Sequence, residues 1–346
     1  MISAIDRRRI FIFVAIAYAA YIVVALAIFF DGGLFSTYPT KKTPLAQGLM
    51  TLVMFAPAVA NLATRGITGE GFSNTLLRPN LRRGWPLYLA ALFLPALAIL
   101  AGGAMYYLLF PSKFDPSMTF ARDELGMVAV CGTTDPWLFL IVQTACVIAY
   151  SLLSVYIMVG EEFGWRAYLQ QKLMPLGPRK AMLLVGVIWA VWHWPAIFLG
   201  FNYLSGYWGA PVVGALLWVW TLLPVSVCYG WLTLRSGSVW PAAIAHGVNN
   251  ASCGLTLWFL RGPLDIPVLV LIGPSTGGII GSLGWVVLGL VLFLSPRALA
   301  QPPRVHVYKT PVGDAGALGQ GIDQPKLGTA SRKGDRENEH RKFVAD

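Results

Sequence analysis

RRRIFIFVAIAYAAYIVVALAIFF, residues 7–30, places three arginines in front of 21 consecutive apolar residues. About 20 residues, each rising 1.5 Å along a helix, cross a hydrocarbon core of roughly 30 Å. The apolar region of a cleaved signal peptide is normally only about 7–15 residues long. The stretch therefore predicts a membrane-spanning helix over residues 10–30, and a signal peptide is the less favoured alternative.

The rest of the chain is also strongly apolar. Hydrophobic residues make up 56% of its 346 residues, and only 12% are charged. Soluble domains carry charge on about a quarter of their residues, so the composition excludes a soluble enzyme. The formal net charge of +10 would suit nucleic acid if the basic residues formed a patch. They are instead spread over short loops and the C-terminal tail, which membrane topology explains. We therefore expect a lipid bilayer and no nucleic acid as partner.

Seven further apolar stretches complete the predicted fold, an all-α polytopic transmembrane helical bundle of about eight spans. Pro274, Gly277 and Gly278 interrupt the last stretch. Residues 1–296 form the predicted transmembrane domain. Residues 297–346, rich in Gly, Pro and charge, predict a disordered cytosolic tail. The seven stretches lie near residues 45–63, 86–110, 137–161, 181–200, 211–233, 239–259 and 268–294.

The basic residues also predict the orientation. If the N-terminus is cytosolic, 21 of the 26 Lys and Arg residues fall on the cytoplasmic side. Such an asymmetry fixes the topology under the positive-inside rule. We therefore expect a multi-pass integral protein, of the cell membrane, with both termini in the cytosol. The five basic residues on the other side are Lys41, Lys42, Lys113, Arg122 and Arg261.

The first polar motif at membrane depth is EEFGWR, residues 161–166. A charge in the hydrocarbon costs at least about 2.5–3.5 kcal/mol, so such groups persist where they pair, line a cavity or act chemically. Glu162 and Arg166 are four residues apart on a helix and can pair, which is a structural role. Glu161 points about 100° away from Glu162 and lacks that partner. We therefore interpret Glu161 as a functional carboxylate that can act as a base.

Two histidines lie inside predicted spans. His193 belongs to WAVWHWP, residues 189–195, where Pro195 should bend the helix and open a cavity. His246 and Asn250 are four residues apart, so both face one side of a helix that begins near Pro241. Small residues on that helix allow another helix to approach closely. A polar packing contact is the structural alternative for each histidine.

The order and spacing of these motifs resemble the CPBP (Abi) family. The pattern is Glu-Glu-x-x-x-Arg, then an aromatic residue four positions before a histidine, then His-x-x-x-Asn, over about residues 137–260. That family includes the type II CAAX prenyl endopeptidases and bacteriocin-processing or immunity-associated membrane proteins. The chain departs from the family by having Trp189 in place of the commoner Phe, and Ala167 where Gly is frequent. Neither departure removes a reactive group.

The resemblance implies an intramembrane endopeptidase that cleaves a peptide or protein substrate, prenylated if the role is CAAX processing. Glu161 would be the general base that activates water, assisted by His193. His246 and Asn250 would polarise the scissile carbonyl and stabilise the oxyanion, and Glu162 and Arg166 would support them.

Metal dependence stays open at this point. Glu161, His193 and His246 could supply three ligands of a catalytic Zn²⁺. No His-Glu-x-x-His motif occurs on one helix, and asparagine is an uncommon zinc ligand. We therefore favour a metal-independent glutamate mechanism, with zinc as the alternative.

Three functions compete on this sequence. The preferred one is peptide-bond hydrolysis at a membrane-embedded site open to the cytosol. A proton-coupled transporter would also use buried Glu and His, but it would show related halves and matching broken helices, and neither is visible in the sequence. A catalytically silent scaffold or immunity protein would retain the motifs without turnover.

Overall fold

The computed structural model describes residues 2–34, 43–119, 121, 135–205, 207–262 and 271–300, without the side chains of residues 83 and 136. Within these ranges the chain is helical, and the only β pairing is an isolated bridge between Phe114 and Leu260. The predicted all-α class is confirmed. The predicted tail lies outside the described residues from residue 301 onward, and so does most of the loop 112–136.

The helices follow the predicted spans closely. In chain order they are α1 (Ala4–Phe30), α2 (Pro44–Val53), α3 (Ala56–Thr68), α4 (Leu81–Leu109), α5 (Pro136–Leu153), α6 (Val155–Gly164), α7 (Gln170–Leu173), α8 (Pro178–Trp192), α9 (Trp194–Phe198), α10 (Val212–Ser236), α11 (Trp240–Ser252) and α12 (Leu283–Leu294). One π-helical turn, Trp165–Leu169, joins α6 to α7, and short 3₁₀ turns lie at Met174–Leu176 and Leu255–Phe259.

The protein is an integral membrane protein, although the predicted count of eight spans is not confirmed. In the described part of the chain, four helical segments are long and apolar enough to cross a membrane. Two bent pairs raise the number to six if each pair is one span. The predicted seventh span is divided between α11 and a 3₁₀ turn, and α12 has only 12 residues.

Broken helices are a feature that the sequence did not reveal. α2 and α3 meet at 40°, and the helix 137–153 meets the helix 155–176 at 53°. Neither of these two breaks was predicted from the sequence. Pro57 in the first turn of α3 explains the first break, because proline lacks the N–H that would continue the preceding helix. The bend predicted next to Pro195 is confirmed, since α8 ends at Trp192 and α9 begins at Trp194.

The segment α6–α7 lies at the centre of the bundle, where small residues let the backbones approach. A Cβ on Gly164 would lie 2.6 Å from the carbonyl oxygen of Pro57 on α3. A Cβ on Gly247 of α11 would lie 3.0 Å from the carbonyl oxygen of Ser151 on α5. Close approach of this kind is how helices associate where burial from water gives no driving force. The small-residue face predicted for α11 is confirmed.

One end of the bundle, the basic end, gathers the start of α1, residues 69–80, α7, the start of α8 and the end of α10. Arg9 of α1 lies 3.4 Å from the Glu70 carboxylate, and Lys172 contacts both Glu70 and Asp6. Arg179 at the start of α8 donates to the carbonyl of Phe293 near the end of α12. These contacts place most of the described basic side chains at the same end.

The opposite end, the loop end, gathers the described parts of residues 31–34, 110–119, 199–211 and 253–282. Tyr203 Oη donates to the carbonyl of Gly277 at 2.9 Å, and Thr256 Oγ1 donates to that of Pro274 at 2.7 Å. The backbone N–H of Asp115 donates to Phe259 O at 2.8 Å. The connections of the loop end are therefore tied to one another rather than independent.

Candidate active site

A cavity of about 590 Å³ lies between α1, α2, α6, α8, α10 and α11. All four residues predicted to be catalytic line it, namely Glu161, His193, His246 and Asn250. Glu161 comes from α6, His193 from the break between α8 and α9, and the last two from successive turns of α11. The structure therefore brings together side chains that are up to 89 positions apart in sequence.

Glu161 is held by two indole groups. Trp189 Nε1 donates to its Oε2 at 2.7 Å, and Trp165 Nε1 donates to the same oxygen at 3.3 Å. Among the described residues, nothing donates a hydrogen bond to the other oxygen, Oε1. The carboxylate is 3% exposed, so one oxygen is fixed and the other is available to a molecule in the cavity.

These tryptophan donors are a part of the site that sequence reasoning missed. The only available signals were Trp165 four positions after Glu161 and Trp189 four positions before His193. A helix places residues four apart on one face, so the first contact could have been found from spacing. The second joins residues on different helices, α6 and α8, and depends on their packing.

Glu162 and Arg166 form the predicted pair. Arg166 Nη1 lies 3.0 Å from Glu162 Oε2 and donates to Oε1 at 3.1 Å, and both side chains are fully buried. The guanidinium also lies over the Trp189 ring at 4.1 Å and over the Tyr229 ring at 5.1 Å. Cation–π contacts of this kind gain strength when they are desolvated. Arg166 is therefore buried among an anion and two aromatic faces.

His246 is the second partner of Glu162. Its Nδ1 lies 2.9 Å from Glu162 Oε1, and a carboxylate accepts, so Nδ1 carries the donated hydrogen. This leaves Nε2 for the cavity. The sequence predicted a supporting role for Glu162 through Arg166 alone. It did not reveal this contact, because Glu162 and His246 are 84 residues apart.

His193 is oriented by its own helix. Its Nδ1 lies 2.8 Å from the carbonyl oxygen of Trp189, and since a carbonyl only accepts, Nδ1 is the donor. The rings of Trp192 and Trp218 pack edge-on against it, with centroids at 5.0 and 5.6 Å. The neutral ring in this tautomer has a lone pair on Nε2, which can accept a hydrogen bond from water.

Asn250 lies one turn after His246 at the wall of the cavity. Its Nδ2 contacts Met158 Sδ at 3.5 Å, and its Oδ1 accepts from Asn249 at 3.3 Å. A thioether is a weak acceptor. A stronger acceptor in the cavity would therefore attract the amide of Asn250 away from Met158.

The remaining walls carry little charge. Among the described residues that line the cavity, Glu161 is the only Asp, Glu, Lys or Arg. Besides the predicted catalytic residues and the indole groups, the other polar groups are amides, hydroxyls and a thiol, from Tyr21, Gln47, Thr51, Asn202, Asn249, Cys253, Ser275 and Thr276. The cavity therefore suits an uncharged chain segment that needs hydrogen-bond partners.

The predicted zinc ligands were tested against this geometry. Two histidines whose Nδ1 atoms donate to a carbonyl and a carboxylate resemble metal-ligating histidines in their orientation. However, no group of three or more His, Cys, Asp or Glu side chains in the described ranges is arranged to hold a metal ion. The residues as placed do not form a metal cluster, and zinc binding by Glu161, His193 and His246 stays a prediction.

The fold and the cavity define a class: an all-helical membrane protein with a carboxylate, two imidazoles and an amide around one buried cavity. Comparison with known proteins agrees. Residues 143–252 match the family model described as type II CAAX prenyl endopeptidase Rce1-like. This segment contains all six predicted site residues, so the predicted resemblance is confirmed over it.

One curated relative matches part of the same chain. It is the CAAX prenyl protease 2 of Methanococcus maripaludis, 30% identical over 92 residues. The match covers 26% of this chain and 34% of the relative. The chain therefore aligns with about a third of the length of the curated relative that it matches.

Replacing Arg166 with alanine is expected to destabilise the protein by about 3–5 kcal/mol, because it leaves the buried Glu162 carboxylate without its cation. The free energy of unfolding would be compared in detergent, by thermal or denaturant unfolding of purified protein. Arg179→Ala is the matched control, since Arg179 bonds a carbonyl at the exposed basic end. Equal losses in the two variants would contradict the structural role of Arg166.

Proposed function

We propose that the protein is an intramembrane endopeptidase that hydrolyses a peptide bond in the cavity described above. The observation that carries the proposal is the convergence of Glu161, His193, His246 and Asn250 on one cavity, each with a reactive atom that no strong internal hydrogen bond occupies. The similarity of residues 143–252 to Rce1-like endopeptidases supports it. The substrate is a peptide or protein, and whether it is prenylated is a separate question.

The base is Glu161. With Oε2 held by the two indoles, Oε1 accepts a proton from a water molecule in the cavity. The lone pair on His193 Nε2 accepts the second hydrogen of that water and orients it. The oxygen then attacks the scissile carbonyl carbon. When the tetrahedral intermediate collapses, protonated Glu161 returns its proton to the leaving amine nitrogen, so the proton count balances.

The oxyanion is stabilised from α11. A protonated His246 donates from Nδ1 to Glu162 and from Nε2 to the oxyanion, and the Nδ2 group of Asn250 donates beside it. Preorganised donors in a water-poor site typically contribute about 2.7–4 kcal/mol each to transition-state stabilisation.

We also propose that the protein lies in the cell membrane with both termini in the cytosol. The basic end contains the start of α1 and the end of α12 together with most basic residues. The positive-inside rule assigns such an end to the cytoplasm.

The first test removes the base. Glu161→Gln keeps the size of the side chain and its hydrogen bonds, and we expect it to lower kcat by about 10²–10⁴-fold while the protein still elutes as a folded monodisperse species. The assay is cleavage of a peptide library by protein purified in detergent. Glu70→Gln, at the basic end, is the matched control and should retain turnover.

A wild-type protein that is folded but cleaves nothing would favour the silent scaffold. A fully active Glu161→Gln variant would refute the assignment of the base.

A second test concerns Trp189 as a positioning residue. Trp189→Phe keeps an aromatic ring but loses the N–H that holds Glu161 Oε2. A hydrogen bond to a charged group contributes about 1.5–3 kcal/mol, so kcat should fall about 10- to 100-fold. KM should change little, because the bond orients the base rather than the substrate.

The control for that variant is Trp194→Phe. Trp194 also donates its indole N–H, to the carbonyl of Ala215 at 3.2 Å, and it does not line the cavity. Steady-state kinetics of both variants would be measured with the same substrate. Equal values of kcat in the two variants would show that the N–H of Trp189 does not position Glu161.

A third test addresses zinc. Since the glutamate mechanism needs no metal, exhaustive dialysis against a strong chelator should leave kcat unchanged, and metal analysis of the active protein should find no stoichiometric zinc. Loss of activity on chelation, with recovery on addition of Zn²⁺ but not Mg²⁺, would replace this mechanism with zinc-activated water.

A further inference from the structure

The cavity lies towards one end of the bundle. Its lining includes Phe201 and Asn202 from the loop after α9, Leu257 from the 3₁₀ turn after α11, and Ser275 and Thr276 from the segment before α12. All of these belong to the loop end. None of the lining residues comes from the segments that form the basic end.

The positions of the lining residues along most of the helices also place the cavity towards the loop end. Tyr21 lies 17 residues from the start of α1 but only nine from its end. His193 follows the last residue of α8, whereas Arg179 lies at the start of that helix. α2 begins at the loop end, and its first lining residue is Gln47, the fourth residue of the helix. On α1, α2, α8, α10 and α11 the lining residues lie nearer the loop end. Glu161 on α6 lies nine residues before α7 and marks the deep end of the cavity.

The two ends differ sharply in charge. The described residues at the loop end include only Lys113 and Arg261 as basic side chains. The basic end carries the arginines of α1, residues 65–82 and the start of α8, so the positive-inside rule places the loop end outside the cytosol. The orientation and the sequence-based expectation of a site open to the cytosol are thus incompatible.

We infer that the active-site cavity receives its substrate from the extracytoplasmic side, and that this substrate is an uncharged peptide segment presented at that face of the membrane. The inference rests on the proposed function for the cleavage itself, but the direction of access depends only on the cavity and the charges. Exported peptides and the extracytoplasmic segments of membrane proteins meet this requirement. The prenylated C-terminus of a cytosolic protein does not.

The chemistry of the walls supports an uncharged segment. Outside the proposed catalytic groups Glu161 and His246, no charged side chain among the described lining residues could hold a free C-terminal carboxylate or an acidic side chain. Gln47, Asn202 and Ser275 instead provide amide and hydroxyl groups, which pair with the N–H and C=O groups of an extended peptide. Burying these peptide groups without such partners would be costly.

Cys253 allows a direct test of access. It lines the cavity and is exposed. In intact cells, a membrane-impermeant maleimide should modify Cys253 in a protein whose other three cysteines are replaced by alanine. Two reporters in a cysteine-free background control the orientation: Asp31→Cys at the loop end and Ser73→Cys at the basic end, both at exposed positions.

The expected result is modification of Cys253 and of Asp31→Cys before permeabilisation, and of Ser73→Cys only afterwards. Modification of Ser73→Cys but not Asp31→Cys in intact cells would overturn the orientation. If Asp31→Cys were modified in intact cells but Cys253 only after permeabilisation, the cavity would not be reached from outside. Either result would overturn the inference.

An activity measurement separates this inference from the proposed function. Quenched-fluorescent uncharged peptides linked to an impermeant dextran would be added to vesicles of either orientation, with Glu161→Gln as the blank. Cleavage is expected only in right-side-out vesicles. Cleavage only in inside-out vesicles would overturn the direction of access and leave the endopeptidase assignment intact. If no peptide were cleaved in vesicles or in detergent while Cys253 was still modified from outside, the endopeptidase assignment would be refuted. The direction of access to the cavity would stand.

Discussion

The site depends on one buried carboxylate that is shared between an arginine and a histidine. Glu162 lies at hydrogen-bond distance from Arg166 within its own helix and from His246 on α11. A buried ion pair contributes less to stability than its Coulomb energy suggests, because desolvation opposes it. Its value here is geometric: the pair fixes the ring of His246 and so the direction of Nε2. The residue that looked purely structural in the sequence therefore connects α6 to His246 on α11.

Trp189 likewise links three groups of the site, Glu161, Arg166 and His193. Its indole N–H bonds Glu161, its ring lies under Arg166, and its carbonyl fixes the tautomer of His193. A phenylalanine at this position, which is commoner in the family that the motifs resemble, could provide the ring contact and the carbonyl but not the N–H. The departure noted in the sequence thus adds a hydrogen-bond donor to Glu161. A tryptophan in a helix of a membrane protein is usually read as packing, which is why the sequence did not assign it a role.

The sequence predicted the membrane class, most helix positions and the four converging residues, because each has a local signal. Long apolar runs fix the helices, and spacings of four residues fix shared faces, as for His246 and Asn250. It failed where structure depends on packing between helices. The contact of Glu162 with His246 joins residues on different helices, so no local spacing indicates it. The break between α2 and α3 is a different case, because Pro57 is a local signal for it that was not used. The count of eight spans is not confirmed, because the predicted seventh span is divided between α11 and a 3₁₀ turn and α12 has only 12 residues.

The breaks also explain why the cavity lies where it does. The chain is interrupted between α2 and α3, at His193, and after Ser252, and residues at or beside each interruption line the cavity. A broken helix cannot fill its side of a bundle, so space opens beside it, and its freed backbone groups tolerate a polar environment. At the basic end, by contrast, ion pairs and side chain–carbonyl bonds tie the helix ends together. The described contacts therefore hold the helix ends together at the basic end, whereas the cavity extends towards the loop end.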